Sequence, residues 1–275
     1  MGVENFIPKK WDTGIQFSLR KALVLGALTN RQYEGQLSNG SKLQINQAGT
    51  ITVNSYTRDS SITYENPDSA SMELLVDQQK YWAFQIDDLD KVQANRQLMA
   101  DYAQEAAYQV SDTIDTFIAG AYSEAGLSVS AATVSAGNAL VNLSNFQLSM
   151  DEGNVPSQGR YFVTRPWHIQ DLVQAATGVV GHTGVPKVFN GTPLATGFVG
   201  TLNGFTLLQS NNITYSSYYY PMAFTRDAIA FVMQYMGTEA KRLDSYFATG
   251  MRGLYLYGKK VTRPDKLCTC TVTQG

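Results

Sequence analysis

The sequence predicts an α+β protein, and three observations support this prediction. The chain has 275 residues, with 16 Tyr and 12 Phe, and aromatic residues favour half-buried sheet surfaces. Apolar and polar side chains alternate from Met72 to Ile86, which is the period of a strand. One apolar stripe then recurs every three or four residues from Met99 to Ala121, which is the period of a helix. A second region with mixed strand and helix signals follows.

Charge and hydropathy exclude two classes of protein. The chain carries 21 basic and 23 acidic residues, a formal net charge of −2, whereas sequence-specific nucleic-acid readers show a basic stripe. No stretch approaches the roughly 18 apolar residues of a membrane span, so we expect no membrane partner. The opening residues MGVENFIPKKW lack the apolar core of a secretory signal. We therefore expect the protein to be made and kept in the cytoplasm.

Residues 1–32 predict an N-terminal arm. The arm begins extended, with Pro8 and Trp11, and continues as a short amphipathic segment around Arg20. Such an arm either packs on its own body or reaches a neighbouring molecule.

Residues 33–71 predict a thin β hairpin. Only six of these 39 residues are large aliphatic side chains, yet KLQI, TITV and SITY each alternate with period two, so two or three strands are expected. So few apolar groups cannot offset the chain entropy of an independent core. The hairpin therefore needs a surface to lie on, which its own domain or a second molecule could provide equally well.

A long strand and a long helix follow. The alternation from Met72 to Ile86 predicts one strand of roughly 50 Å. The helical stripe predicts a helix from near Asn95 to a stop at Gly126, about 45 Å long. Its alanines would let it pack closely on a sheet. The segment SYFATGMRGLYLYGKKV near the C-terminus is expected to pair with the long strand.

The second region begins after a Ser/Ala-rich link from Leu127 to Ala139. RYFVT predicts a buried strand, and RPWHIQDLVQAA a helix with Pro166 in its first turn. A Gly/Pro loop is expected from Gly178 to Gly191. Asn203-Gly204 between two apolar runs predicts a two-residue hairpin. SSYYYPMAF and AIAFVM supply further strands.

Candidate catalytic and metal-binding residues are few. His168 and His182 are the two histidines, no nucleophile motif accompanies them, and we expect His168 at the surface or its boundary. Asp87, Asp88 and Asp90 could bind a metal, but carboxylates before a helix are more simply explained by capping and the helix dipole. We expect no enzyme activity, no cofactor and no metal.

The two cysteines and the cluster of tyrosines are more simply explained by packing than by ligand binding. Cys268 and Cys270 share one face of a strand, and no second Cys or His pair completes a metal site. The tyrosines from 215 to 220 contain no Lys or Arg among them, so interface or core packing is expected rather than stacking on sugars or bases.

The order of these segments resembles the major capsid proteins of tailed bacteriophages. NFIPKKW, LRKALVLGALTNRQYEGQL, ITVNSYTRDSSITYE, KYWAFQIDDLDKVQAN, the long helix, RYFVTRPWHIQDL and LYLYGKKVTRPDKL follow one another in the order of that family. The resemblance implies an N-terminal arm (1–32), an extended loop (33–71), a peripheral domain with a spine helix on a long sheet (72–140 and 240–275) and an axial α/β domain (141–239).

The resemblance also implies a function. Such proteins self-assemble as pentamers and hexamers into the icosahedral shell of the virion, which encloses double-stranded DNA in non-specific contact. Scaffold and portal proteins, and a cement protein, are the implied partners, and assembly is in the bacterial cytoplasm. No long charged helical region precedes the arm, so a separate scaffold is expected. The residues expected at contacts between subunits are Trp11, Arg20, Lys42, Tyr56, Arg58, Asp59, Tyr64 and Glu65.

Two other functions are open at this stage. A small β-rich binding module for carbohydrate or a receptor would account for the tyrosines and the Asn-Gly turns. A hydrolase would use His168 or the pair Asp87 and Asp88. Oligomeric state separates the first alternative from a capsid protein, because a shell protein must form rings, shells or sheets.

Overall fold

The computed structural model describes residues 24–36, 42–47, 51–66, 70–87, 98–177, 198–215, 217–243 and 247–275. Several predictions made above fall outside these residues: most of the arm with Trp11 and Arg20, the start of the long helix, Asp88 and Asp90, and the Gly/Pro loop with His182. No helix in the described ranges is long and apolar enough to cross a membrane.

The described ranges contain four α-helices and eleven strands. The helices are α1 (Leu25–Leu28), α2 (Leu98–Ala119), α3 (Ala139–Glu152) and α4 (Pro166–Thr177). The strands are β1 (Lys42–Gln47), β2 (Ala70–Leu75), β3 (Gln78–Asp87), β4 (Leu127–Val134), β5 (Arg160–Thr164), β6 (Phe198–Leu202), β7 (Phe205–Gln209), β8 (Met222–Thr225), β9 (Ile229–Arg242), β10 (Ala248–Val261) and β11 (Leu267–Gln274).

The strands form three sheets, which confirms the α+β class. A two-stranded sheet pairs β1 with β2, a three-stranded antiparallel sheet has the order β3-β10-β9, and a six-stranded mixed sheet has the order β4-β11-β8-β5-β7-β6. The predicted pairing of the C-terminal segment is confirmed, because β10 runs antiparallel to β3 from Ala248 opposite Asp87 to Tyr257 opposite Gln78. The next strand, β11, lies in the six-stranded sheet.

The prediction of one long strand from Met72 to Ile86 is wrong. The segment contains two strands, β2 and β3, separated at Val76 and Asp77. The two strands have different partners, since β2 pairs with β1 and β3 pairs with β10. Alternation continues through the break because an even number of residues separates the strands, so the sequence pattern carries no sign of the change of partner.

The long helix packs along the three-stranded sheet. Helix α2 continues as a 3-10 turn from Gly120 to Glu124, close to the predicted stop at Gly126. Ile118 of this helix is fully buried. Gly126 N–H donates to the Pro264 carbonyl at 2.9 Å, and a Cβ at Gly126 would lie 2.6 Å from that oxygen. The glycine therefore permits a close backbone crossing at the helix end.

The Ser/Ala-rich link contains a strand, so its interpretation as a connection is wrong. Residues Leu127–Val134 form β4, which pairs in parallel with β11 at the edge of the six-stranded sheet. The small side chains of this segment are typical of a connection, so the sequence did not predict a strand. The segment is a strand because it pairs with β11, which is distant in sequence. Helix α3 was not predicted either. Its buried positions are spaced by four, three and four residues: Ala139, Leu143, Phe146 and Met150.

The second region otherwise follows the prediction, except at His168. Strand β5, helix α4 beginning at Pro166, and the hairpin between β6 and β7 at Asn203-Gly204, where both residues have positive φ, are confirmed. The surface position expected for His168 is wrong, because this side chain is fully buried. It packs edge-on against Phe162 and stacks on Trp167.

Candidate functional site

The hairpin has a base that is built into the body of the protein. Ile45 of β1, Leu74 of β2 and nearby Val76 are buried, and they pack against Ala230 and Val232 of β9. Leu74 is fully buried. The base of the hairpin therefore belongs to the protein's own core. Of the two surfaces considered from the sequence, its own domain and a second molecule, the base lies on its own domain.

A glycine of β10 allows the base to lie close to the sheet. A Cβ at Gly258 would lie 2.0 Å from the Leu75 carbonyl oxygen and 3.0 Å from Val76 Cα. No side chain fits in this space, so the backbone of the hairpin crosses directly over β10. A glycine inside a strand pattern often marks such a crossing, and this signal was present in the sequence.

The tip of the hairpin, residues 51–66, has a different environment. All of its residues are exposed. A turn closes the tip, with Ser60 N–H donating to the Thr57 carbonyl at 3.1 Å and Asp59 in the left-handed region at φ 66°, which Asp tolerates better than most residues. The tip therefore has local turn structure but no core.

The strands predicted at TITV and SITY are not formed, so this prediction is wrong, whereas KLQI lies in β1. The arms of the tip approach where Thr52 N–H donates to Glu65 Oε2 at 3.1 Å. A period-two pattern needs a neighbouring backbone to become a strand. Within the described part of the chain, nothing covers the tip.

Large apolar side chains on the tip face solvent. Val53 is 95% and Tyr64 is 90% exposed. These two positions are sequence neighbours of Thr52 and Glu65, which are joined by the hydrogen bond between the two arms. The other exposed large side chains of the tip are Ile51, Tyr56 and Ile62. Exposed apolar groups collected on one element are typical of an interaction site.

The predicted contact residues in the described ranges divide into two groups. Lys42 lies at the base, where its Nζ is 3.1 Å from Glu73 Oε2 in the same chain, so it already has a partner. Glu65 accepts the bond from Thr52 described above. Arg58 and Asp59 at the turn are exposed, and neither has a hydrogen-bond or ion-pair partner among the residues that the structure describes.

The end of the predicted arm packs on its own body. The buried carboxylate of Asp115 in α2 accepts backbone N–H groups from Val24 at 2.7 Å, Leu25 at 3.2 Å and Gly26 at 2.8 Å. Burial raises the pKa of Asp115 above its usual range, against the effect of these hydrogen bonds. In the sequence, this Asp lies between apolar helix positions that are buried. That pattern indicates a buried carboxylate with a hydrogen-bonding role, and our sequence analysis did not predict it.

The tyrosine cluster contains an arginine contributed by another element. The Arg165 guanidinium lies 4.7 Å from the ring centre of Tyr219, and Tyr219 stacks on Tyr215 with 4.7 Å between ring centres. Trp167 contacts the same ring at 5.4 Å. The sequence could not place Arg165 here because it lies about fifty residues earlier in the chain. The cluster packs the loop against helix α4.

The histidine and the two cysteines considered as candidates for catalysis or metal binding are buried inside the protein. His168 Nδ1 lies 3.0 Å from Thr164 Oγ1, and burial lowers the pKa of His168 to about 4. Cys268 and Cys270 are buried free thiols, and burial raises the pKa of Cys268 to about 11, so this thiol stays protonated. No three His, Cys, Asp or Glu side chains come together as a metal site in the ranges described.

Comparison with solved structures gives matches over nearly the whole chain. A structure from Mycobacterium phage Che8 has 27% sequence identity and a TM-score of 0.82, covering 98% of each chain. The capsid of cyanophage P-SCSP1u has 18% identity and a TM-score of 0.77, covering 100% of this chain and 95% of that one. The mature capsid of bacteriophage PhiM1 has 13% identity and a TM-score of 0.68, covering 96% and 90%.

The family comparison agrees with the structural one. No curated protein sequence matches the chain, but a family model described as phage capsid protein matches residues 72–269, more than two thirds of the chain. The β-rich binding module is not favoured by these matches, and the role that they support is structural. The chain belongs to the phage capsid protein family and is a major capsid protein of the tailed-phage type, a component of the virion shell.

Proposed function

We propose that this capsid protein assembles as pentamers and hexamers into the icosahedral shell around double-stranded phage DNA, and that the hairpin tip holds neighbouring copies together. The observation that carries the proposal is the tip itself, residues 51–66, in which every residue is exposed. A 16-residue projection without a core gains stability when a second copy covers it.

The apolar side chains of the tip set the scale of this gain. Fully burying one large apolar side chain contributes roughly 1.5–3 kcal/mol. Five such side chains are exposed on the tip: Ile51, Val53, Tyr56, Ile62 and Tyr64. Burial of part of this set at each contact, repeated around a ring, would favour assembly after the entropy cost of association is met.

The base makes the contact specific. Because Leu74 and Val76 fix the base on the sheet, the tip projects from a defined place, and less entropy is lost when it binds. Arg58 and Asp59 at the turn would then set the register of the contact more than its strength. Trp11, Arg20, Lys42, Tyr56, Tyr64 and Glu65 remain proposed contacts, and Lys42 also pairs with Glu73 of its own chain.

The division into domains and the other partners belong to the same proposal. The division is an arm (1–32), an extended loop (33–71), a peripheral domain (72–140 and 240–275) and an axial domain (141–239). A scaffold protein, a portal protein and a cement protein are the proposed partners, and assembly is proposed to be in the host cytoplasm. A net charge of −2 supports non-specific contact with packaged DNA, because a strongly basic inner surface would hold DNA tightly.

Replacement of residues 51–66 by a short Gly/Asn turn tests the proposal, because it removes the tip and keeps β1 and β2. We expect an unchanged circular dichroism spectrum and melting temperature for the free subunit. Negative-stain microscopy and sedimentation should show no rings or shells. The control is the double variant Asn54→Ser and Thr63→Ser, which changes polar tip positions and should assemble normally. Shells formed by the protein without its tip would contradict the proposal.

A further inference from the structure

A polar cleft lies between the turn that joins β8 to β9 and the segment that follows helix α1. The cleft has a volume of about 470 Å³. Its lining consists of Asn30, Arg31, Gln32, Arg226 and Asp227. Among the described residues, no apolar or aromatic side chain lines the cleft, so it is built to take a charged or strongly polar group.

Backbone hydrogen bonds hold both walls of the cleft in place. The turn is closed by Ala228 N–H, which donates to the Thr225 carbonyl at 2.9 Å. The segment on the other wall runs beside the start of β9. Asn30 N–H donates to the Ile229 carbonyl, and Phe231 N–H donates to the Asn30 carbonyl, both at 2.9 Å. The two walls are therefore fixed relative to each other before any ligand binds.

The charges around the cleft leave one positive group without a partner. Arg31 pairs with Glu34, with 2.8 Å between Nη2 and Oε1. Asp227 pairs with Lys266, with 2.5 Å between Oδ2 and Nζ. Arg226 has no ion-pair partner in the part of the chain that the structure describes. These five groups together carry one positive charge, and that charge belongs to Arg226.

The guanidinium of Arg226 is oriented by a buried carbonyl. Its Nε–H donates to the carbonyl oxygen of Thr29, a fully buried residue, with 3.4 Å between the two atoms. This contact leaves the two Nη groups for another acceptor. A guanidinium donates to two oxygens of a phosphate or a carboxylate at once, so Arg226 can supply a bidentate contact in the cleft.

The opposite wall supplies further donors. The side-chain oxygen of Asn30 accepts the Gln32 N–H at 3.0 Å, so the NH₂ group of Asn30 is the part of this amide that can donate to a ligand. Gln32 adds a second amide. Donors on two walls suit a tetrahedral group, whose oxygens point in different directions, better than a planar carboxylate.

We propose that this cleft binds a phosphate group, with Arg226 as the bidentate donor, and that the backbone of packaged duplex DNA supplies the phosphate. The inference rests on the proposed function, in which the shell encloses DNA, and adds to it a site of contact on this chain. A backbone phosphate has one negative charge and two free oxygens, which match the one guanidinium without a partner. Contacts to phosphates carry no sequence information directly, and no aromatic ring lines the cleft for stacking on bases.

NMR titration of the ¹⁵N-labelled free subunit tests the site, because the Nε–H signal of Arg226 reports on the guanidinium itself. The probes are a short DNA duplex of mixed sequence, inorganic phosphate and an acidic peptide. We expect the duplex and inorganic phosphate to shift the Arg226 signal in the same direction, and a duplex of unrelated sequence to act equally. The matched control is the Nε–H signal of Arg252, which already donates to Glu239 at 3.0 Å and should not move.

Three results of the titration would overturn the inference. An Arg226 signal that moves with neither the duplex nor inorganic phosphate would show that the cleft is not a phosphate site. A signal that moves with inorganic phosphate alone would exclude DNA as the source. A larger shift with the acidic peptide than with the duplex at equal charge would assign the cleft to a protein partner.

Substitution of Arg226 gives a second test. Arg226→Gln removes the charge, so affinity for the duplex at low salt should fall about fivefold, and the dependence of log affinity on log salt should become shallower by about one. Arg226→Lys should keep the salt dependence but lose affinity, because a lysine has the charge without the fork. Arg252→Gln, which removes an arginine that is already paired, should leave the salt dependence unchanged. Equal affinity and salt dependence of Arg226→Gln and the wild type would overturn the inference.

Assembly of the same variant separates this inference from the proposed function. Arg226→Gln should form normal shells by negative-stain microscopy, because the proposed contact is with DNA and not with a second copy. A folded Arg226→Gln subunit that forms no shells would show that the cleft is a contact between subunits, and would overturn the inference. Normal shells with unchanged affinity for DNA would overturn the inference alone, whereas shells formed without the hairpin tip would contradict the proposed function alone.

Discussion

The two ends of one hairpin differ in where their stability comes from. At the base, Leu74 is fully buried against the chain's own sheet. At the tip, Val53 is 95% exposed although it is equally apolar. The base and tip are separated by a few residues, yet one is part of a folded core and the other has no core at all.

Under the proposed function, the base and the tip have different roles in the capsid protein. The base must be stable in the free subunit, since it determines where the tip projects. The proposal requires the tip to remain available, because a tip satisfied on its own subunit could not join two copies. Substitutions at the base should therefore act on folding, and substitutions at the tip should act on assembly.

The largest effect on folding is expected at the crossing of β10 by the hairpin. Gly258→Ala places a Cβ 2.0 Å from the Leu75 carbonyl oxygen, so the base must move off the sheet. We expect a loss of about 4 kcal/mol in the free energy of unfolding, measured by urea denaturation. Gly35→Ala, where a Cβ meets nothing within 4 Å, is the control. Equal stability of the two variants would contradict the close crossing.

A smaller loss is expected from a cavity under the base. Leu74→Ala removes a fully buried side chain and should cost about 3 kcal/mol in the free energy of unfolding. The neighbouring Leu75→Ala is the matched control, because Leu75 is 44% exposed, and it should cost well under half as much. If both variants lost the same stability, the base would not be packed as described.

Acid should weaken the body of the protein through a group remote from the hairpin. The pKa of His168 is lowered from 6.5 to about 4 by burial, so the unfolded chain binds a proton more readily. Above pH 6.5 the histidine is neutral in both the folded and the unfolded chain, and the free energy of unfolding is not reduced. As the pH falls from 6.5 to about 4, protonation of the unfolded chain lowers the free energy of unfolding by about 3 kcal/mol. Stability measured against pH should be flatter in this range for His168→Gln; parallel curves would contradict the buried neutral histidine.

The smallest effect on folding is expected at the tip. The double variant Val53→Ser and Tyr64→Ser changes only exposed side chains, so the free energy of unfolding of the free subunit should stay within about 0.5 kcal/mol. Assembly, followed by light scattering, should be lost. A destabilised free subunit would show that the tip already packs on its own chain.

Local patterns predicted elements well where neighbours in sequence decide the structure. Pro166 located the start of helix α4, and Asn203-Gly204 located a hairpin turn. Local patterns gave wrong predictions where the structure depends on pairing with a strand distant in sequence. The alternation across Val76 could not reveal that β2 and β3 pair with different strands, and the small residues of β4 become a strand through pairing with β11.

The candidate site could be predicted in part. The scarcity of apolar residues from 33 to 71 indicated a hairpin that needs a second surface, but sequence could not divide it into a buried base and an exposed tip, because KLQI and TITV have the same alternation. The burial of His168 depends on packing between Phe162 and Trp167.

Hydrogen–deuterium exchange of residues 51–66, compared between free subunits and assembled shells, tests the central claim most directly. We predict rapid exchange of the tip in the free subunit, slow exchange in the shell, and slow exchange of β1 and β2 in both states. Protection of the tip in the free subunit equal to that of the base, or a tip that remains unprotected in the shell, would contradict the account.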